Sequence, residues 1–272
     1  MVSQQAANPL KDALSSALNE LRIENVSVDW MDIGDYLQRY FYVADTESLI
    51  ELYPCQLEPL RYFLRRDEQG NFYYDLIVWS FPKKSAKTIV CAGILDWLAY
   101  HNRNAPIRII SNDLKQASSR VGHYMVRNVE IAKKKGYATN GRISIEDEEM
   151  HEFRLRTQID RSDTRLRYPN GAVIEMIPLD PKGEAGGNDL AISVGELWAW
   201  DTEKHIATWT ETTTPPTKQG RSIRIVDTYA GFSGRSVVLE PLYDALVNEG
   251  TRIPFPSNDE CYENGRIAGT WV

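Results

Sequence analysis

Trp79-Ser80-Phe81-Pro82-Lys83-Lys84-Ser85-Ala86-Lys87-Thr88 decides how this chain is read. The run before it, Tyr73-Tyr74-Asp75-Leu76-Ile77-Val78-Trp79, has the length and the apolar, aromatic content of a buried strand. The run after it, Ile89-Val90-Cys91-Ala92-Gly93-Ile94-Leu95-Asp96-Trp97-Leu98, reads as a helix. A strand, a short polar turn closing on Lys-Thr and a helix make the scaffold of a phosphate-binding loop. In such a loop the backbone N–H groups at a helix N-terminus point at an anion. A Lys there reaches the β- and γ-phosphates and a Thr hydroxyl ligates Mg²⁺; Lys87 and Thr88 hold those places. Agreement with G-x-x-x-x-G-K-[ST] is confined to its end, because Phe81 and Ala86 stand where the two glycines belong. With Ala at 86, the loop is expected to form with ordinary backbone angles there.

Composition narrows the classes. The chain has 272 residues, 42% of them hydrophobic, enough for one large domain or one domain with extensions. A net charge of -7 and a pI near 5.3 exclude a globally basic surface, so any nucleic-acid contact is a local patch. Cys55, Cys91 and Cys261 are odd in number and far apart, which argues against a disulfide framework or a cysteine zinc site. The sequence has neither an 18-residue apolar run nor an apolar signal core at its start, so no membrane span is expected.

Upstream of the loop, Leu10, Leu14, Leu18 and Leu21 suit an amphipathic helix, and further helical turns are expected around Trp30, Tyr36 and Tyr40. Residues 1–50 thus read as a helical arm. Pro54 opens another helix, with Gln56 near its start, where an amide can donate to and accept from adenine at once. Downstream, Pro106–Ser111 is a second strand, and Asn112 or Asp113 caps a helix closed by Lys133-Lys134-Lys135. This strand–helix alternation argues for a mainly parallel sheet with helices on its faces. Arg154, Arg156, Arg161, Arg165 and Arg167 form a basic stretch, and Asn170-Gly171 marks a hairpin turn. After a polar loop holding Lys182, Leu190–Gly195 reads as a strand ending at Glu196. In phosphate-loop enzymes the strand beside the loop ends in Asp-Glu; here Gly195 replaces the Asp. Arg221–Gly231 is one more strand, with Thr228 at its tip either sensing a γ-phosphate or serving as an ordinary turn residue. Ser236–Leu246 reads as a helix that Pro241 would either kink or start late, and residues 248–272 read as a linker or extended strand.

From about Leu52 to Leu246 these pieces, in this order, resemble the ATPase domain of the large terminase subunit of tailed bacteriophages, the motor that packages DNA into procapsids. Pro54–Leu57 looks like its adenine-reading motif, and Pro82–Thr88 like its deviant phosphate loop. Ser111–Ala117 looks like the segment after its second strand, Ile192–Glu196 like its Asp-Glu strand, and Asp227–Gly231 like its coupling motif. The resemblance implies a P-loop NTPase fold of the RecA type over residues 51–247, binding ATP and Mg²⁺. It places Gln56, Pro82, Ser85, Ala86, Lys87 and Thr88 on the nucleotide, Thr88 on the metal, and Glu196 on the attacking water. Lys83 or Lys84 would act in cis on the γ-phosphate, and Thr228 would couple hydrolysis to motion. Lys182, Arg154, Arg156 or Arg161 would be the cation a neighbouring subunit supplies. The implied partners are double-stranded DNA, the small terminase subunit, the portal protein and further copies in a ring, at the procapsid vertex in the host cytoplasm. The family's nuclease domain would follow residues 248–272, so this chain is expected to hydrolyse ATP and not to cut DNA. A helicase-like ATPase would need a second RecA-like domain, for which 272 residues leave no room. A degenerate nucleotide-binding assembly module is the third reading.

Overall fold

Leu76–Ser80 forms strand β1, buried at every residue, as its unbroken apolar run requires of a parallel strand covered on both faces. The computed structural model describes residues 30–138, 141–179, 188–231 and 234–272. Asp32–Val272 is one compact unit. The leucine-rich stretch of residues 10–21 lies outside the described residues. The other strands are β2 (Pro106–Ser111), β3 (Gln158–Ile159), β4 (Arg165–Arg167), β5 (Val173–Pro178), β6 (Ala191–Gly195), β7 (Ile223–Thr228), β8 (Thr251–Arg252), β9 (Cys261–Asn264) and β10 (Ile267–Trp271). They form one sheet in the order β3-β4-β5-β2-β6-β7-β1-β10-β9-β8. From β5 to β10 the neighbours are parallel, and antiparallel strands close both edges. The expected hairpin joins β4 to β5 around Asn170-Gly171.

The helices are α1 (Ile33–Tyr40), α2 (Pro54–Phe63), α3 (Lys87–His101), α4 (Leu114–Ser119), α5 (Val121–Lys135), α6 (Ile145–Arg156), α7 (Glu203–Glu211) and α8 (Leu239–Tyr243). The chain leaves β1 through α3 and returns at β2, passing over positions that β6 and β7 fill later. Such a jump opens a crevice at the carboxyl ends of the strands, the usual ligand position in open α/β sheets.

Four expectations change. The strand beside β1 is β7, with Leu76 opposite Arg224; β6, which carries Glu196, lies one position further out. The long helix after β2 breaks at Arg120, whose angles of φ -113 and ψ -107 are not helical. Residues 32–50 belong to the compact unit rather than to a separate arm, with the Tyr36 hydroxyl donating to Asp96 of α3 over 2.9 Å. Thr251–Trp271 is not a linker, because it supplies three strands of the sheet. Asn264-Gly265, with Gly265 at φ +56, turns β9 into β10, and β10 lies parallel against β1. Gly269 permits that approach: a Cβ there would lie 2.6 Å from the Val78 carbonyl oxygen.

Beneath the helices Asp96 and Arg154 form an ion pair, both side chains fully buried. Asp96 Oδ1 accepts from Arg154 Nη1 at 2.7 Å and from the Tyr168 hydroxyl at 2.8 Å. Arg154 Nη2 donates to the Tyr36 hydroxyl at 2.9 Å, and Nε to the Tyr137 hydroxyl at 3.2 Å. The network ties α1, α3 and α6 to the hairpin before β5.

Candidate nucleotide-binding site

The turn between β1 and α3 is held by its own backbone and by α2. Ser85 Oγ donates to the Pro82 carbonyl at 2.7 Å, and Gln56 Nε2 donates to the Ser85 carbonyl at 2.8 Å. Lys84 and Ala86 both adopt the left-handed region, at φ 68 and φ 60. The expectation of ordinary angles at Ala86 is therefore wrong: the turn keeps the conformation a glycine would take and bears the steric cost of a Cβ. Ala86 is the N-cap of α3 and gives it no side-chain cap. A 15-residue helix thus begins in the crevice with its first amides uncapped, the arrangement that favours an anion.

Lys87 is buried to 7% exposure and its ammonium lies 5.5 Å from the Tyr229 ring centre, with that of Lys83 at 5.0 Å. From the other wall, Glu196 sits at φ 59 just past β6 and donates its amide to the Asp227 carbonyl at 2.8 Å. Its carboxylate accepts from Arg120 Nη1 and from Trp198 Nε1. These groups line a cleft of about 530 Å³ together with Lys84, Thr88, Ser119 and Tyr124. Three lysines, an arginine and a helix N-terminus make its lining mainly cationic, with Glu196 the single carboxylate among its lining groups.

Two of the groups that build this region were not foreseen in these roles. Arg120 enters because the helix breaks there. The local signal is Ser118-Ser119 before it and Gly122 after it, where a Cβ would lie 2.7 Å from the Ala117 carbonyl oxygen. Asp227, on β7, accepts from the Thr88 hydroxyl at 2.9 Å. It is 2% exposed, and burial, reinforced by the nearby charge of Glu196, pushes its carboxyl up to about 6 despite the Thr88 bond.

The remaining expected residues divide. Gln56 is buried, and its amide is engaged at both ends, since Oε1 accepts from the Tyr53 amide at 3.2 Å. In this state it positions the loop rather than facing the cleft. Thr228 is fully buried, its hydroxyl donating to the Tyr229 carbonyl at 3.1 Å. Arg154 is excluded as a cation offered to a neighbour, because its guanidinium is fully buried against Asp96. Arg156 and Arg161 are exposed and stand outside the cleft. Lys182 lies outside the described residues. Within the other basic run, Lys133 donates to the Thr157 carbonyl at 2.6 Å and Lys135 to the Glu47 carbonyl at 2.7 Å.

No protein-family profile matches the chain, and no curated protein does. Solved structures do. The large terminase of bacteriophage HK97 superposes with a TM-score of 0.62 at 15% identity, over 88% of this chain and 43% of that one. This chain therefore spans less than half the length of the HK97 protein. The large terminase ATPase domain of Thermus phage P74-26 aligns over 76% of this chain and 77% of that one, at 13% identity and a TM-score of 0.48, a likeness too distant to add to the assignment. Strand order and superposition agree, and the chain shares the fold of the part of the HK97 large terminase that it covers, a mainly parallel sheet flanked by helices.

Proposed function

We propose that the chain is an ATP hydrolase that drives double-stranded DNA into a procapsid as the motor part of a packaging terminase. The supporting observation is the meeting, in one cleft, of Lys87 and Thr88 at the start of α3 with Glu196 at the end of β6. The uncapped α3 terminus and Lys87 hold the β- and γ-phosphates, while Lys83 or Lys84 adds charge at the γ-phosphate. Glu196 orients and activates the attacking water once it leaves Arg120. The Thr88 hydroxyl and the buried carboxylate beside it would hold Mg²⁺, which would supply positive charge against the negative charge that develops on the phosphates. A neighbouring subunit supplies a further cation, worth roughly 10³–10⁵ in rate in related NTPases. Arg156 and Arg161 remain candidates for it, as does Lys182. The working state is a homo-oligomeric ring at the portal protein, fed by the small terminase subunit in the host cytoplasm. Exposed Arg156, Arg161 and Arg167 offer a sequence-independent DNA contact that weakens as salt rises.

The test is ATP turnover against protein concentration. Turnover per subunit rises with concentration, and Lys87→Ala or Glu196→Ala lowers it by about 10²–10⁴. Wild-type turnover in both variants would refute the site. One observation favours the assembly-module reading: both Glu196 oxygens are engaged, by Arg120 and Trp198. ATP binding without turnover, even in an assembled ring, would select it.

A further inference from the structure

Resting on the nucleotide reading of the cleft, we propose that Asp227, at the tip of β7, supplies the metal-binding carboxylate that Gly195 cannot. The two positions are direct neighbours across the sheet, Gly195 of β6 opposite Asp227 of β7. A Cβ at position 195 would lie 3.0 Å from Asp227 Oδ1. The Asp227 carboxylate therefore fills the space that a side chain at 195 would enter. An acid at 227 and a glycine at 195 are complementary, and a side chain at 195 would crowd the Asp227 carboxylate and make it give way.

The orientation of the carboxylate agrees with a metal role. Asp227 Oδ2 accepts from the hydroxyl of Thr88, the group placed to ligate Mg²⁺. Asp227 Oδ1 is buried and has no hydrogen-bond partner among the described residues. A buried carboxylate oxygen without a partner is costly, and such groups are retained where they coordinate an ion or a catalytic group. Hard oxygen donors of this kind suit Mg²⁺, which binds through one or two carboxylates or hydroxyls with water and phosphate completing the shell. The carboxylate has moved sideways by one strand, about 4.8 Å, while staying at the end of the sheet where the crevice opens. The same position makes Asp227 the lateral link between Thr88 and the Glu196 loop, whose amide donates to the Asp227 carbonyl.

The experiment reads metal-dependent nucleotide binding rather than turnover. A fluorescent ATP analogue is titrated against wild type, Asp227→Asn and the exchange variant Gly195→Asp/Asp227→Gly, each with Mg²⁺ and with EDTA. Bound Mn²⁺ is counted in parallel by its electron paramagnetic resonance signal. Mg²⁺ is expected to tighten wild-type binding at least about tenfold. Asp227→Asn keeps an acceptor for Thr88 and is expected to retain metal-free binding while losing the tightening and the bound Mn²⁺. The exchange variant returns a carboxylate to the same space and is expected to recover both. Nucleotide binding with a Mg²⁺ effect that Asp227→Asn keeps would overturn this assignment alone. Absence of nucleotide binding by the wild type would overturn the nucleotide reading and this assignment with it.

Discussion

Replacing Arg154 by Ala is expected to cost stability and to leave turnover per folded molecule unchanged. Arg154 and Asp96 are both fully buried, and the guanidinium contributes two donors to Asp96 and one each to Tyr36 and Tyr137. Removing it strands a buried carboxylate that, among the described residues, keeps the Tyr36 and Tyr168 hydroxyls and the Asn128 amide as donors. Breaking a buried pair from one side costs about 3–5 kcal/mol, because the uncompensated charge stays out of water. For a chain of this size that is a fall in Tm of about 6–20 °C. Equilibrium urea denaturation followed by far-UV circular dichroism measures it. Arg154→Met/Asp96→Leu, which removes both charges and keeps much of the volume, is expected to recover most of the loss. A cost below about 1 kcal/mol would refute the reasoning, because no fully desolvated charge pair is that cheap to break. So would normal stability combined with loss of the concentration-dependent part of turnover, since that outcome makes Arg154 a cation acting across a subunit boundary.

Three further outcomes follow. Ala86→Gly relieves the left-handed strain at φ 60 and is expected to raise stability by about 0.5–1 kcal/mol net of glycine's entropy; a loss in thermal denaturation would contradict the strain argument. Burial, aided by the Arg66 cation, pushes the His101 imidazole down to about 4. A base held low in the folded state contributes stability above its unfolded value near 6.5 that is lost as pH falls toward 4, about 3 kcal/mol in all. Urea midpoints at pH 7 and 4.5 are expected to differ less in His101→Gln than in the wild type, and equal differences would refute it. Gly269→Ala forces a Cβ within 2.6 Å of the Val78 carbonyl oxygen and is expected to destabilise the protein by about 1–3 kcal/mol; a neutral melting curve would separate β10 from β1.

What could be read in the sequence was local. The strand, turn and helix around Lys87 and Thr88 lie within one continuous stretch, so residue order alone brought them together. Glu196 was legible because an apolar strand ends beside it. Asp227 was named only as part of a coupling motif, because its meaning depends on register: nothing in one dimension places it opposite Gly195. Arg120 was hidden by a helix break that Ser118-Ser119 and Gly122 allow but do not require. Arg154 misled because a run of arginines does not disclose which one meets a buried aspartate 58 positions away. After residue 248 a linker and one extended strand stood as alternatives, and the division into three strands was not legible because they are short and separated by Pro and Asn, so their period never accumulates.

The pairing of β1 with β10 also sets a timetable for the newborn chain. Strand β1 has one neighbour in β7 and the other in β10, and the Thr270 hydroxyl reaches the Ser80 carbonyl across 190 positions of sequence. Contacts so distant in sequence close late, after a large loss of chain entropy. While Ile267–Trp271 is still inside the ribosome, the strand that aims the phosphate loop has an open edge. Synthesis therefore delivers the groups around Lys87 well before Ile267–Trp271 can close that edge, so β1 is expected to be fixed in place only once β10 has emerged.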